Sequence, residues 1–170
     1  SMRHSRILLT GARYHVTARV NNREHFLESE KSKLLFERVL FRAKKRYSFS
    51  IEHFTIMNNH IHLILTPHGD ESLSRIMQWV LSVYAIMYNK TTGRTGHFWG
   101  ERFFSVILNS LQHYMHVYEY ISNNPIVAGL ADTAASWRFG GDFHRKKKWT
   151  HLVSGELPYD TIEILSGTCT

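Results

Sequence analysis

Apolar positions along the chain switch between a period of two and a period near four. RYHVTARV at 13–20 alternates and is rich in β-branched and aromatic residues, which predicts a strand broken at Asn21-Asn22. After Ser29, a good N-cap, the residues Leu35, Val39, Ala43 and Tyr47 recur every four positions and predict a helix. Its basic positions Lys31, Lys33, Arg38, Arg42 and Lys45 read as a solvated face. IEHFTIM at 51–57 and HIHLILT at 60–66 predict two strands joined by a two-residue turn at Asn58-Asn59, with Pro67 closing the second. Asp70-Glu71-Ser72 opens another helix, whose core stripe is Leu73, Ile76, Met77, Val80, Tyr84 and Met87. Three glycines make 91–100 (TTGRTGHFWG) a loop. RFFSVIL at 102–108 is then a fourth strand, and a last helix runs from about Leu111 to Asn123, stopped by Pro125. Beyond Gly129 the pattern weakens.

This order predicts an α+β fold, a ferredoxin-like β-α-β-β-α-β antiparallel sheet with an additional C-terminal helix on the face that the two crossover helices leave open. The organisation expected is one domain over 2–130 and a weakly defined extension over 131–170. A chain of 170 residues with 43% hydrophobic and 21% charged residues suits one domain with a real core. It is too short for a (β/α)₈ barrel, which needs about 250 residues. No apolar run reaches the ~20 residues of a membrane span, and no apolar stretch of signal-peptide kind follows Arg3 and Arg6. Ser1 before Met2 reads as an expression scar. A single cysteine, Cys169, excludes an internal disulfide and a Cys-rich metal site, and a cytoplasmic address is expected.

Lys and Arg number 21 against 14 Asp and Glu, a net charge of +7, and the pI is ≈ 9.7. A balance of this kind favours polyanions, nucleic acid first. Aromatics sit beside bases at Arg13-Tyr14, Trp99 with Arg102, and Lys148-Trp149, an interleaving suited to stacking on single strands. Arg13, Arg19, Arg94, Arg102 and the 145–148 run, Lys146 and Lys147 included, are the candidate phosphate contacts; for each singly, a solvated surface charge is the alternative.

The chemistry concentrates in two segments. In His60-Ile61-His62 the two imidazoles lie on one face of a strand, their Cα atoms ~6.5–7 Å apart, while Ile61, Leu63 and Leu65 point to the core. Two such rings converge on one cation, or are simply histidines on an open sheet face. Hairpin register adds His53 and Thr55 to that face. In the last helix, Tyr120 and Asn124 are one turn apart on one face, beside an apolar stripe of Leu111, Tyr114, Val117 and Ile121; His113 and His116 precede them, each either a candidate base or a structural residue.

Together these segments resemble the IS200/IS605-like HUH single-strand DNA transposases. His60-Ile61-His62 is similar to the histidine–hydrophobic–histidine motif. Tyr120-Ile-Ser-Asn-Asn124-Pro-Ile-Val-Ala resembles the tyrosine helix of the REP-associated branch, and so do Tyr14-His15-Val16-Thr17-Ala18-Arg19, Asn21-Asn22-Arg23 and Gly96-His97-Phe98-Trp99 with Arg102-Phe103. Leu9-Thr10-Gly11-Ala12-Arg13-Tyr14 departs from that branch's Gly-Thr-Tyr-like signature.

The resemblance implies a metal-dependent single-tyrosine endonuclease that cleaves and rejoins single-stranded DNA near hairpins through a 5′-phosphotyrosine. Tyr120 would be the nucleophile. His60, His62 and Asn124 would hold a divalent metal, Mg²⁺ or Mn²⁺, with Asn124 standing where insertion-sequence members carry glutamine. Either a monomer or a homodimer with the tyrosine helix delivered in trans is compatible. A catalytically silent DNA- or RNA-hairpin binder, and a hydrolase that activates water at His-x-His, are the competing readings.

Overall fold

The structure, a computed structural model, describes residues 11–154. Cys169 and the acidic residues Glu156, Asp160 and Glu163 lie outside the described residues, as do Leu9 and Thr10. The elements are β1 (Tyr14–Arg19), α1 (Glu30–Arg46), β2 (Phe49–Ile56), β3 (His60–Pro67), α2 (Leu73–Thr92), β4 (Phe104–Ile107), α3 (Leu111–Val127) and α4 (Gly141–Lys146). The strands lie in the order β2-β3-β1-β4, every neighbouring pair antiparallel. This is the expected ferredoxin-like sheet.

Alternation along the strands divides the side chains between two cores. Val16, Ala18, Ile51, Phe54, Ile56, Ile61, Leu63 and Leu65 face α1 and α2, and pack against Phe36, Val39, Leu40, Ala43, Ile76, Met77, Val80 and Tyr84. On the opposite face a smaller core joins Ile64 and Leu108 to Tyr114, Val117 and Ile121 of α3. The helices start where expected: Ser29, Ser72 and Ser110 each accept a hydrogen bond from the backbone three residues on.

The hairpin register is Thr55 opposite His62 and His53 opposite Ile64, closed by a bond from the Met57 amide to the His60 carbonyl (2.9 Å). An irregularity between Ile51 and His53 leaves Glu52 as an extra residue. Such a bulge resets the alternation. It keeps Ile51 in the main core and frees Glu52 to accept bonds from Arg13 Nε (3.0 Å) and Thr66 Oγ1 (3.1 Å).

Three expectations are corrected. Pro125 does not stop α3 but sits inside its last turn, where only one backbone bond is forfeited; the helix runs on to Val127 and ends before Gly129, at φ 72°. The buried stripe of α1 is Phe36, Val39, Leu40 and Ala43, so Leu35 is only partly covered. Lys33 leaves the solvated face. It is buried, and its ammonium donates to the Glu28 carbonyl and Asn58 Oδ1, both at 2.8 Å, and lies over the rings of Trp137 and Phe139. Burial pushes its pKa down to about 8.

The weakly patterned stretch after Gly129 is tied to the edge of β2. The Ile56 amide donates to the Phe139 carbonyl (2.9 Å), Val153 bridges Ile51, and Phe139, Leu152 and Val153 enter the main core. Glu37 of α1, itself buried, takes Arg138 Nη1 on both oxygens (2.8 and 3.0 Å) and His144 Nε2 at 3.2 Å. Removing one partner of such a network leaves the others desolvated. Glu37→Ala is expected to cost about 2 kcal/mol in urea unfolding and to speed tryptic cleavage after Arg138; unchanged stability and unchanged cleavage would show that this segment docks without the carboxylate.

Candidate active site

The tyrosine helix meets the histidine strand within one chain. α3 packs by Tyr114, Val117 and Ile121, and this leaves Tyr120 at the rim of its contact with the sheet, half exposed. The Tyr120 ring centroid is 5.4 Å from that of His62 and 6.4 Å from that of His15, edge-on to both. The His60 and His62 rings are 5.0 Å apart. One turn after Tyr120, Asn124 brings Oδ1 to 3.3 Å from His60 Nε2. The four residues singled out in the sequence therefore converge.

His60 lies between two oxygens. Its Nδ1 is 2.7 Å from Asn59 Oδ1 and its Nε2 faces Asn124 Oδ1. Burial, and then the charge of Arg19, hold its pKa below the usual histidine range, against the opposing bond to Asn124. A neutral imidazole carries one N–H, so one of these contacts sets a lone pair against a carbonyl oxygen. With the proton on Nδ1, donated to Asn59 at the shorter distance, Nε2 and Asn124 Oδ1 form a pair of acceptors that a cation would satisfy.

His62 gives a second sign. Its Nδ1 lies 3.0 Å from His15 Nε2 and 3.1 Å from Thr17 Oγ1, while its Nε2 is buried with no hydrogen-bond partner. Burial first, then His60, His15 and Arg19, push its pKa down to about 2, and burial followed by His113 takes His15 to about 4. If His62 donates from Nδ1 to His15, it keeps a lone pair on Nε2, as a metal ligand oriented by a neighbouring acceptor would. Two imidazole nitrogens and an amide oxygen fit a divalent ion of the Mn²⁺ or Mg²⁺ type. Among the described residues no group of three His, Cys, Asp or Glu is arranged to hold a metal, so such an ion relies on Asn124.

His15 and Thr17 were legible only as part of the β1 resemblance, without a role. Register supplies one, since Thr17 lies directly opposite His62. A further group was legible only in part: register puts His53 on this face, but its partners were not visible in the sequence. His53, fully buried, stacks on Tyr118 of α3 (centroids 4.1 Å, 19° between planes), and its Nε2 is 2.8 Å from Ser122 Oγ. Ser122 donates to Asp142 Oδ2 (2.6 Å), and Tyr118 donates to Asp142 Oδ1 (3.3 Å). The tyrosine helix is thus bonded to β2 and α4 on either side of Tyr120. Gly141 is required here: a Cβ at that position would collide with His53 Nδ1.

The model of the family described as "Transposase IS200 like" matches residues 9–124. The chain belongs to that family. Among solved structures, a REP-associated tyrosine transposase bound to a REP hairpin superposes with a TM-score of 0.74 at 19% identity, covering 93% of this chain and 94% of that one. A candidate transposase from Deinococcus radiodurans R1 gives a TM-score of 0.51 at 15% identity, over 72% of this chain and 97% of that one. At such identities the likeness is one of fold. Comparison with curated proteins yields no match. No helix among the described residues is long and apolar enough to cross a membrane.

In this transposase the candidate phosphate contacts separate. Arg94 is a loop staple: its guanidinium donates to Asn89 Oδ1 (3.2 Å) and to the carbonyls of Gly96 (3.2 Å) and His97 (2.6 Å), over the ring of Phe26. Arg13 is held by Glu52 and lies over Tyr114. Arg19 is exposed and stands opposite His60 in the sheet. Arg102 is exposed just before β4, and Lys146 at the end of α4 and its C-cap Lys147 are exposed beyond the other edge of the sheet. The aromatics paired with bases in the sequence are not stacking surfaces. Tyr14 is buried, and Trp99 packs against Phe36 and Tyr84 with its indole N–H on the Leu81 carbonyl (2.9 Å). Trp149 is half-buried beneath Arg138.

Two predictions follow from the His53 group. Burial, opposed by Asp142 and assisted by Arg145, pushes the His53 pKa down to about 4. The unfolded chain, with histidine near 6.5, binds a proton that the native state refuses, so this contribution is complete above pH 6.5 and is lost as pH falls toward 4. Urea midpoints of the wild type should drop across that window, and those of His53→Asn should drop less steeply; parallel slopes would place the proton uptake elsewhere. Gly141→Ala should lower stability by about 2 kcal/mol through overpacking, read as a fall in the thermal midpoint.

Proposed function

We propose that this transposase is a metal-dependent single-stranded DNA endonuclease and strand transferase that uses Tyr120 as nucleophile. The observation that carries the reading is the Tyr120 ring beside His62 on a face where His60 Nε2 and Asn124 Oδ1 stand as two acceptors 3.3 Å apart. His60, His62 and Asn124 would hold the ion, Mg²⁺ or Mn²⁺, which when bound supplies positive charge beside a phosphate.

The Tyr120 oxygen attacks the scissile phosphorus in line. A P–O bond to tyrosine forms, the P–O bond to the 3′ oxygen breaks, the phenolic proton is released, and the 3′ oxygen takes up a proton. The product is a 5′-phosphotyrosine and a free 3′ hydroxyl. Attack by another 3′ hydroxyl reverses the exchange and rejoins DNA with no external energy source. The chain's own residues position this reaction. His15 and Thr17 orient His62, Asn59 orients His60, and the bonds of Ser122 and Tyr118 to Asp142 hold the helix that carries the phenol. Because Tyr120 lies by the histidines of its own chain, one protomer contains the whole constellation. The similar REP-associated tyrosine transposase is bound to a REP hairpin, and the net charge of +7 suits a nucleic-acid hairpin as substrate here.

Labelled single-stranded hairpin DNA incubated with the protein and Mn²⁺ should give an adduct that survives denaturation. Tyr120→Phe should abolish the adduct and keep DNA binding, EDTA should abolish it in the wild type, and His60→Ala should lower cleavage about 100-fold or more. An adduct that persists in Tyr120→Phe would assign the nucleophile to another residue, and binding with no adduct in the wild type would leave a silent hairpin binder.

A further inference from the structure

Lys33 carries a charge with only 2% of its surface exposed. A buried charge is costly unless its donors are used. Its ammonium donates to the Glu28 carbonyl and to Asn58 Oδ1, both at 2.8 Å, and lies 5.6 Å from the ring centres of Trp137 and Phe139. One ammonium thereby joins four pieces of chain: α1, which carries it, the approach to α1, the turn between β2 and β3, and the stretch after Gly129. The bond to Asn58 differs in kind from the rest, because that turn delivers His60. A methionine in place of the lysine could pack on the two rings and avoid the cost of desolvation. What the ammonium adds is donation to Asn58.

The turn is held at several atoms. The Leu27 amide donates to the Asn58 carbonyl and the Val20 amide to the Asn59 carbonyl, both at 2.9 Å, and Asn59 Nδ2 donates to the Arg23 carbonyl (3.4 Å). Lys33 adds the side chain of Asn58 to this set. A two-residue turn has few torsions left once both of its carbonyls and one side chain are bonded, so Asn59 is fixed in turn. Asn59 Oδ1 is 2.7 Å from His60 Nδ1. An acceptor on one ring nitrogen sets which nitrogen carries the proton and how the ring is oriented. With the proton on Nδ1, His60 Nε2 keeps its lone pair beside Asn124 Oδ1, 3.3 Å away.

We infer that Lys33 is a positioning residue for His60, acting through Asn58 and Asn59 to hold the imidazole with Nε2 free to bind a metal ion. This rests on the metal-dependent activity proposed above and names the residue that sets the tautomer of one ligand. The cage around the ammonium comes in part from Trp137 and Phe139. The docking of the stretch after Gly129 and the geometry of His60 are therefore linked through one buried cation.

The test reads the ligand apart from turnover. The full chain carrying Tyr120→Phe is titrated with Mn²⁺, and free ion is followed by electron paramagnetic resonance. Adding Lys33→Met, which keeps an apolar stem against the two rings, should weaken Mn²⁺ binding roughly tenfold or more, the scale of losing an outer partner of a ligand. Asn58→Ala should do the same, and Asn58→Asp, which keeps an acceptor for the ammonium, should bind as the parent does. These two carry the test if Lys33→Met fails to fold. Leu40→Ala, a core change in the same helix, should lower the urea midpoint and leave Mn²⁺ affinity unchanged. Parent-like affinity in Lys33→Met or Asn58→Ala would overturn the inference. So would equal weakening in Leu40→Ala, since the lysine would then serve the fold alone. A second readout needs no metal: imidazole ¹⁵N spectra in EDTA should show His60 protonated at Nδ1 in the parent and a mixture of tautomers in Lys33→Met and Asn58→Ala. The same tautomer in all three would also overturn the inference. A parent that binds no Mn²⁺ yet shows this tautomer shift would remove the metal reading and keep the positioning role.

Discussion

Placing two imidazoles at the centre of a sheet is a desolvation problem, and much of the surrounding structure answers it. His62 is buried, and no water can be recruited to a ring nitrogen there without space for it. β1 settles one nitrogen through His15 and Thr17, and leaves Nε2 without a partner. His60 has the converse difficulty, an excess of acceptors around a single proton. Both rings lie beside the helix that carries Tyr120 and Asn124, His60 facing Asn124 and His62 lying edge-on to Tyr120. A fold that only needed to bury this helix would do so more favourably with apolar residues at 60 and 62. The polar cluster therefore costs stability that the apolar packing of Tyr114, Val117 and Ile121 against Ile64 must offset.

That packing sets the height of α3 above the sheet but says little about its rotation or its slide along its own axis, because a stripe of apolar contacts tolerates small displacements. Direction comes from the buried polar group one strand away. His53, Ser122, Tyr118 and Asp142 join β2, α3 and α4 through bonds at fixed angles, and hydrogen bonds of this kind lose their worth rapidly when misaligned. Ser122 lies between Tyr120 and Asn124 in sequence, so fixing its hydroxyl fixes the phase of both. The stretch after Gly129 thus contributes to the site without touching it, through Asp142 and through the room that Gly141 leaves for the His53 ring.

Much of this was legible in the sequence, for identifiable reasons. The strands and helices show because their periods are clean and their caps are serine. The hairpin shows because Asn58-Asn59 admits the turn, and this alone sets Thr55 opposite His62. His60, His62, Tyr120 and Asn124 show because they are pairs close in sequence on regular elements. What stayed hidden depends on pairings between distant segments. Lys33 reads as surface until Asn58, Trp137 and Phe139 are brought to it, and Arg94 reads as a phosphate contact until the carbonyls of Gly96 and His97 are seen to occupy it. His53 was placed on the right face by register, but its partners lie 69 and 89 residues further along the chain, in a helix and in a segment with no visible period.

The aromatic residues show how an inference from composition can rest on the wrong members. A basic chain with 13% aromatics suggests stacking on single strands, yet sequence proximity to arginine picked out Tyr14 and Trp99, both of which serve the core. Proximity in sequence is a poor guide on a strand or in a tight loop, where neighbours point to opposite sides. The relevant measure is which face α3 leaves uncovered. By that measure Phe104 is prominent for the reason that made it look ordinary: it sits in an apolar strand, RFFSVIL, whose alternation buries Phe103 and turns Phe104 outward. An edge strand with one apolar side turned to solvent is unfavourable in a free protein, and Phe104 and Val106 give β4 such a side.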